Sequence, residues 1–287
     1  MRLDRSAMAR GLAACAAMGL LAMPPVAARA HPHAPHHAAH AHPAAQADVP
    51  AGPPLPDGQV FLPPPPGPDT AQRAADASIF AATRALEGTP RWKLAQADNR
   101  DTPAHMVSAF SCAAGFTLPP EQLSELVGLV ARIEKRLTPA VNAEKALWNR
   151  PRPFTEAELP TCIPLRADLK RDPSYPSLHA TLGWVTGLIL SDILPDRTAA
   201  IMQRARVFGE SRVVCGVQWQ TDVAAGWLNG GVLYSAMEQD DGFRQEMDAA
   251  RAEVTALHAT MAAPPAPGFP NQGPPPAPPP PKKPPPP

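Results

Sequence analysis

The chain has 287 residues, enough for one domain with a sizeable core once its proline-rich ends are set aside. Its 26 Lys and Arg residues balance 26 Asp and Glu residues without a long basic run, which argues against nucleic acid as a partner. The 41 prolines concentrate near both ends, and such segments bury too little apolar surface to fold on their own.

Residues 1–30 have the pattern of a secretory signal peptide. Three arginines accompany an apolar stretch at residues 11–23, and Ala28-Arg29-Ala30 forms a small-x-small cleavage site. The apolar stretch is well short of the ~20 residues that span a bilayer. We therefore expect cleavage and export rather than a membrane anchor.

Residues 31–69 are rich in histidine and then in proline, and we predict a disordered linker. Residues 31–42 hold six of the nine histidines. Such a tract can bind Zn, Cu or Ni, but nothing in it fixes a coordination geometry, so a weakly metal-scavenging tail is favoured over a specific site. We place the folded domain at residues 70–260 and a disordered proline-rich tail at residues 261–287.

Several segments of this domain have helical patterns, and residues 122–142 show an apolar stripe at three-to-four-residue spacing. Pro139 should break or kink that helix. The predicted helices cover residues 71–86, 122–142, 144–148, 180–194, 197–210 and 218–227. The helix at residues 180–194 is apolar nearly all round and is expected at the centre of the core. We predict an all-α fold, a single soluble helical-bundle domain.

A lysine and an arginine stand at the predicted end of the helix that precedes two prolines. The segment from Lys145 to Arg152-Pro153 has the pattern Lys, six residues, Arg-Pro. A mobile ammonium and a rigid guanidinium fork together suit the oxygens of a phosphate. Taken alone, the pattern also fits cations that interact with the exposed carbonyls of a helix terminus.

A second segment reads Tyr175-Pro176-Ser177-Leu178-His179 and leads into the apolar helix. Ser177 suits an N-cap, and the start of a helix directs free N–H groups and a positive dipole end at an anion. The Ser177 hydroxyl and the N–H of Leu178 are candidate phosphate donors. His179 alone would fit a structural histidine, but its context favours a functional one.

A third segment holds Ser211-Arg212, then Gln218 after five intervening residues, then Asp222 after three more. If residues 218–227 form a helix, Gln218 and Asp222 share one face. Arg212 can join them only if the chain bends, and Gly216 is the expected place for the bend.

The three segments resemble, in order and spacing, the signatures of the bacterial class A non-specific acid phosphatases, a family of the type 2 phosphatidic acid phosphatase and vanadium haloperoxidase superfamily. The resemblance is close throughout residues 211–223. The family pattern is Lys-x6-Arg-Pro, Pro-Ser-Gly-His and Ser-Arg-x5-His-x3-Asp. Here Leu178 replaces a glycine, and Gln218 stands where the family has its nucleophilic histidine.

The resemblance implies a phosphate site with positively charged side chains. Lys145, Arg152 and Arg212, here called the phosphate clamp, would bind the phosphoryl oxygens, with Ser177 and the N–H of Leu178 as neutral donors. The expected partner is a phosphomonoester or inorganic phosphate, with neither a cofactor nor a metal. The resemblance also implies a periplasmic or secreted protein and leaves an oligomer open. We expect no membrane span in the mature chain, because the apolar helix at residues 180–194 is short for a span and no second such segment follows it.

The family mechanism assigns His179 as the general acid and Asp222 as the residue that orients the nucleophile. A carboxamide is not appreciably nucleophilic, so Gln218 cannot form a phosphohistidine. The sequence leaves three explanations open: a slow phosphatase in which Gln218 holds an attacking water, a catalytically silent protein that binds phosphate or phosphoesters, and an engineered or erroneous glutamine.

The mature chain would keep three cysteines, namely Cys112, Cys162 and Cys215. An odd number is unusual for an oxidising compartment. Cys215 lies in the third segment, where we expect it to be buried as a small apolar residue. Cys112 and Cys162 are either a disulfide or separate thiols, and the disulfide is the favoured prediction.

Overall fold

The computed structural model describes residues 52–260, so the predicted signal peptide, the histidine tract and the proline-rich tail lie outside the described residues. Within this range the chain is helical and contains no strand, which confirms the predicted all-α fold. No helix among these residues has the length and apolar character needed to cross a membrane. The helices are α1 (Gly58–Phe61), α2 (Ala71–Thr83), α3 (Pro90–Asp98), α4 (Pro103–Ser108), α5 (Ser111–Ala114), α6 (Ser124–Trp148), α7 (Pro153–Glu156), α8 (Ala167–Arg171), α9 (Leu178–Ile193), α10 (Thr198–Val214), α11 (Gln220–Met237) and α12 (Asp241–Thr260).

Helix α9 lies at the centre of the core, packed between α10 and α11, as its nearly continuous apolar sequence predicts. Two glycines on α9 allow α10 to approach closely. A Cβ atom at Gly183 would lie 2.5 Å from Cδ1 of Phe208, and one at Gly187 would lie 2.7 Å from Cβ of Ala205. Any larger residue at either position would push the two helices apart.

Helix α6 buries the predicted apolar stripe and carries Lys145 in its last turn. Of the break or kink predicted at Pro139, the break is wrong, because the helix continues from Ser124 to Trp148. Proline removes one backbone donor, and the loss of a single bond does not end a helix whose apolar face is packed along its length. Asn149 then ends the helix in the left-handed conformation, with φ of 41°.

The packed region begins before residue 70, the predicted start of the domain. Asp57 caps α1 by accepting a hydrogen bond from the N–H of Gln59, at 2.9 Å. Leu62 is buried against Tyr175 and Ala225. The hydroxyl of Tyr175 donates to the carbonyl of Pro63. The end of the predicted linker therefore packs beside the second signature.

Glu144 is a buried carboxyl one residue before Lys145. Asn229 of α11 donates to its Oε2 at 2.6 Å, whereas its Oε1 has no partner among residues 52–260. Burial raises the pKa of Glu144 to about 7, against the effect of the Asn229 hydrogen bond and with a contribution from Asp57. The folded chain therefore favours the protonated carboxyl, and folding loses stability as the pH rises through this range.

Cys162 and Cys215 form a disulfide, and their Cα atoms are 4.5 Å apart. Within residues 52–260, Cys112 is the free cysteine, and it is exposed. The predicted Cys112–Cys162 bridge is therefore wrong. The segment after α7 packs against the end of α10, where the N–H of Cys162 donates to the carbonyl of Cys215 at 3.1 Å. This tertiary contact decides the pairing, and the spacing of cysteines in the sequence does not reveal it.

Candidate phosphate site

The first signature brings Lys145 and Arg152 together around one carboxylate. The left-handed turn at Asn149 reverses the chain after α6 and leads it to Arg152. Nζ of Lys145 donates to Oδ1 and Oδ2 of Asp172, at 2.9 Å and 2.7 Å. Nη2 of Arg152 donates to the same Oδ2 at 2.5 Å, and its Nε donates to the carbonyl of Asp172 at 2.7 Å. Both cations are buried.

The electrostatics of this pair depend on burial and on Asp172. Burial lowers the pKa of Lys145. The positive charges of Arg152 and Arg212 lower this pKa further, and Asp172 partly offsets these effects. Burial likewise lowers the pKa of Arg152, against the effects of Asp172 and Asp222. The concentration of positive charge in one buried place is unfavourable for the folded chain on its own, and an anion relieves it.

The second signature places Ser177 at the start of α9, as predicted. Its Oγ accepts a hydrogen bond from the N–H of Ala180 at 3.0 Å, which makes it the N-cap. The same hydroxyl donates to Oε1 of Gln218 at 2.6 Å. The backbone N–H of Ser177 donates to the carbonyl of Asp222 at 3.0 Å. Leu178 is the first residue of α9. The bonds from Ser177 to Gln218 and Asp222 show that the second and third signatures are in direct contact.

His179 lies beside this region and hydrogen-bonds to a residue outside the signatures. Its Nδ1 hydrogen-bonds to the carboxylate of Asp101, and its Nε2 lies 3.3 Å from the carbonyl of Phe208. The imidazole stacks on the Phe208 ring with centroids 4.2 Å apart. Both ring nitrogens therefore lie near oxygen atoms that can accept a hydrogen bond. Burial opposes ionisation of Asp101, but His179 and Arg212 outweigh burial and lower the pKa of Asp101.

The third signature bends where the sequence predicts it. Arg212 lies in the last turn of α10, and Gly216, with φ of 73°, turns the chain so that the backbone N–H of Gln218 donates to the carbonyl of Arg212 at 3.3 Å. Nε of Arg212 donates to Oε1 of Gln218 at 3.3 Å, and Nη1 donates to Asn99. Burial lowers the pKa of Arg212 to about 10.

The side chain of Gln218 is buried among donors and acceptors of the signatures. Its Oε1 accepts from Ser177 and Arg212, and its Nε2 donates to the carbonyl of Ser174 at 2.8 Å. The prediction that it lies in a helix is wrong, because α11 begins at Gln220. The glutamine therefore accepts hydrogen bonds from Ser177 and Arg212, two residues that the sequence predicts to donate to phosphate.

Asp222 is fully buried in the first turn of α11. It accepts from the N–H of Trp219 at 2.7 Å, from Nη1 of Arg150 at 2.5 Å and from the hydroxyl of Ser174. Burial raises its pKa, while Arg150 and Ser174 act in the opposite direction. Within the described residues Asp222 makes no side-chain hydrogen bond to Gln218, and Ser174 connects the two.

Three charged residues contact the predicted site without having been predicted from the sequence: Asp101, Arg150 and Asp172. Arg150 lies inside the first signature, and a second arginine two residues before Arg152 was a usable signal. Asp172 precedes the second signature, and Asp101 follows α3, without a pattern that marks either one. Only the packing of the described residues brings them to Lys145, Arg152 and His179. No group of three or more His, Cys, Asp or Glu residues among positions 52–260 is arranged to hold a metal ion.

Comparisons with known proteins show which family and which relatives this chain is similar to. The sequence profile of the PAP2 superfamily matches residues 126–241, which include all three signatures. An acid phosphatase of Zymomonas mobilis subsp. mobilis is 37% identical over 209 residues, which cover 72% of this chain and 79% of that protein. Non-specific acid phosphatases of Salmonella typhimurium and Providencia stuartii are 32% and 30% identical over 203 residues, covering 69% and 70% of this chain and 80% and 82% of those proteins.

Proposed function

The chain belongs to the PAP2 superfamily, among its bacterial acid phosphatases, and from this membership we propose that it hydrolyses phosphomonoesters. The observation that carries the proposal is the continuous chain of contacts through the three signatures. Lys145 and Arg152 share a carboxylate. Arg152 also donates to the carbonyl of Val217 at 2.8 Å, next to Gln218, which in turn contacts Arg212.

In this proposal the phosphate clamp binds the phosphoryl oxygens of the ester. Buried cations attract an anion more strongly than exposed ones, because less water screens the charges. Ser177 adds a hydroxyl, and the start of α9, a helix of 16 residues, adds the N–H of Leu178 and the positive end of its dipole. The positive side chains supply the charge stabilisation that metal ions give in other phosphatases, so we expect activity without an added metal.

The hydrolysis step uses water because Gln218 is not appreciably nucleophilic. A water held near the Gln218 carboxamide attacks phosphorus, and the ester P–O bond breaks. His179 gives a proton to the leaving alcohol, and one proton of the water restores His179 while the remaining hydroxyl stays on the phosphate. Asp101 orients and stabilises the protonated imidazole, as carboxylates do in other histidine sites. Asp222 helps to position Gln218 through Ser174, which hydrogen-bonds to both residues. Because water replaces the histidine nucleophile, we expect slow turnover.

We also propose export to the periplasm or the medium. The support is the signal-peptide pattern of residues 1–30, together with the disulfide between Cys162 and Cys215. Amino-terminal sequencing of the secreted protein tests this, and a mature chain that begins near His31 is the expected result.

The function is tested with purified protein by following p-nitrophenyl phosphate hydrolysis and, by calorimetry, inorganic phosphate affinity. We expect slow turnover that Arg152→Ala abolishes. Arg166→Ala is the matched control, because the Arg166 side chain is 78% exposed and pairs with Asp168 outside the clamp. Phosphate binding without turnover would instead identify the catalytically silent binding protein. A folded chain that neither binds phosphate nor hydrolyses the ester would contradict both functions.

A further inference from the structure

Asp172 holds the position of an anion between two cations of the phosphate clamp. Its two carboxylate oxygens receive three hydrogen bonds, two from Lys145 and one from Arg152. These are the donors that the proposed function assigns to a phosphoryl group. A carboxylate and a phosphoryl group share the same preference for such donors.

The three side chains differ in their exposure to solvent. Lys145 and Arg152 are 6% and 2% exposed, whereas Asp172 is 41% exposed. Asp172 follows the five-residue helix α8, which has no buried residue. The carboxylate thus covers a buried pair of cations from the solvent side. The segment that carries it contacts the core through the partly buried Leu169 and is bonded to Arg152 through the carbonyl of Asp172.

The third cation of the clamp lacks such a partner. Within residues 52–260, Arg212 hydrogen-bonds to the amide oxygens of Asn99 and Gln218 and to no carboxylate. A phosphoryl group could therefore meet Arg212 directly, but it can reach Lys145 and Arg152 only by taking the place of Asp172.

We propose that Asp172 is an internal competing anion that sets the affinity of the site for phosphoryl groups. This inference rests on the proposed function. Binding requires the carboxylate to turn towards solvent, and only the chains in which it has done so are competent. The apparent affinity for any phosphoryl ligand equals the intrinsic affinity multiplied by this competent fraction. If the carboxylate occupies the clamp in about nine chains out of ten, the apparent affinity is therefore lowered about tenfold. The factor is the same for every ligand that displaces the carboxylate completely.

The test compares Asp172→Asn with the natural chain. Asparagine keeps the shape and an acceptor oxygen but removes the charge, and Asp168→Asn is the control, because it makes the same charge change in α8 outside the clamp. We expect Asp172→Asn to bind inorganic phosphate at least about tenfold more tightly. We also expect it to lower KM for p-nitrophenyl phosphate by the same factor with kcat little changed. Asp168→Asn should match the natural chain.

Equal or weaker phosphate binding by a folded Asp172→Asn would overturn the inference, since the carboxylate would then organise the clamp instead of competing for it. If the natural chain binds phosphate in that case, the proposed function survives. If neither protein binds phosphate, both proposals fail.

A measurement on the natural chain keeps the test decisive if Asp172→Asn does not fold. Amide hydrogen exchange in the peptide that spans α8 and Asp172 should become faster when inorganic phosphate is added. The reason is that displacement of the carboxylate frees this segment, whose N–H at Asp172 otherwise donates to the carbonyl of Asp168 at 3.0 Å. Unchanged or slower exchange at a saturating phosphate concentration would overturn the inference.

Discussion

We expect Gln218→His to raise the phosphomonoesterase activity of the purified chain at least ~100-fold. In the structure, the Gln218 carboxamide donates to the carbonyl of Ser174 at 2.8 Å and accepts from Ser177 and Arg212. An imidazole at this position can donate from one nitrogen to Ser174 and present its other nitrogen where Oε1 now lies. That nitrogen could then attack phosphorus, which divides hydrolysis into two easier steps.

The structure also limits the cost of the substitution. The new side chain keeps one donor and one acceptor, so at most one of the two donors now on Oε1 would lose its partner. Such a loss costs about 1–3 kcal/mol of folding free energy. A 100-fold gain in rate corresponds to a barrier lowered by about 2.7 kcal/mol. The two effects are separable, because one changes the unfolding transition and the other changes kcat.

The assay measures kcat for p-nitrophenyl phosphate hydrolysis and looks for phosphohistidine at position 218 by mass spectrometry after a rapid quench. Gln220→His is the matched control, since it places the same residue two positions away, at the first position of α11. A folded Gln218→His protein that binds phosphate without gaining activity would refute the reasoning, and would direct attention to Leu178 or Asp172. A natural chain already as fast as ordinary acid phosphatases would refute it as well.

Three further predictions concern binding and stability. Arg212→Ala should weaken phosphate binding by about 2–5 kcal/mol in calorimetry, because a buried charged donor is lost. Arg206→Ala, at a half-buried position of α10 outside the clamp, should leave it unchanged. Glu144→Gln should remove a pH-dependent loss of stability. At about 1.4 kcal/mol per pKa unit, the rise from 4.5 to about 7 amounts to about 3 kcal/mol. The unfolding free energy of the variant relative to the natural chain, measured from denaturation curves, should therefore rise by this amount between pH 4 and pH 8. A difference in unfolding free energy that does not change with pH would contradict the prediction. Joint replacement of Cys162 and Cys215 by serine should lower the unfolding free energy by about 2–4 kcal/mol in urea, and unchanged stability would argue against the crosslink.

The features that the sequence predicted correctly are local ones. The apolar period of α6, the all-round apolar character of α9, the N-cap at Ser177 and the bend at Gly216 each depend on a short stretch of chain. Such features are readable because neighbouring residues decide them.

The features that escaped prediction depend on contacts across the chain. Gln218 lies outside α11 because Asp222 accepts from the N–H of Trp219, which makes Trp219 the N-cap and Gln220 the first residue of the helix. Asp172 reaches Lys145 from 27 positions away, and Asp101 reaches His179 from 78 positions away. No periodicity or spacing records a pairing of this kind, since only the packed helices bring the partners together.

The crosslink between Cys162 and Cys215 makes the third signature sensitive to the redox state of its surroundings. Cys215 is the residue before Gly216, so the covalent bond anchors the start of the bend that brings Gln218 back to Arg212. Where glutathione or thioredoxin keeps thiols reduced, only weaker contacts, such as the N–H of Val217 on the carbonyl of Arg212 at 3.1 Å, would hold that bend. A chain retained in the cytosol would thus have a looser site than one that had crossed into an oxidising compartment, and export would complete the assembly of the site as well as deliver the protein.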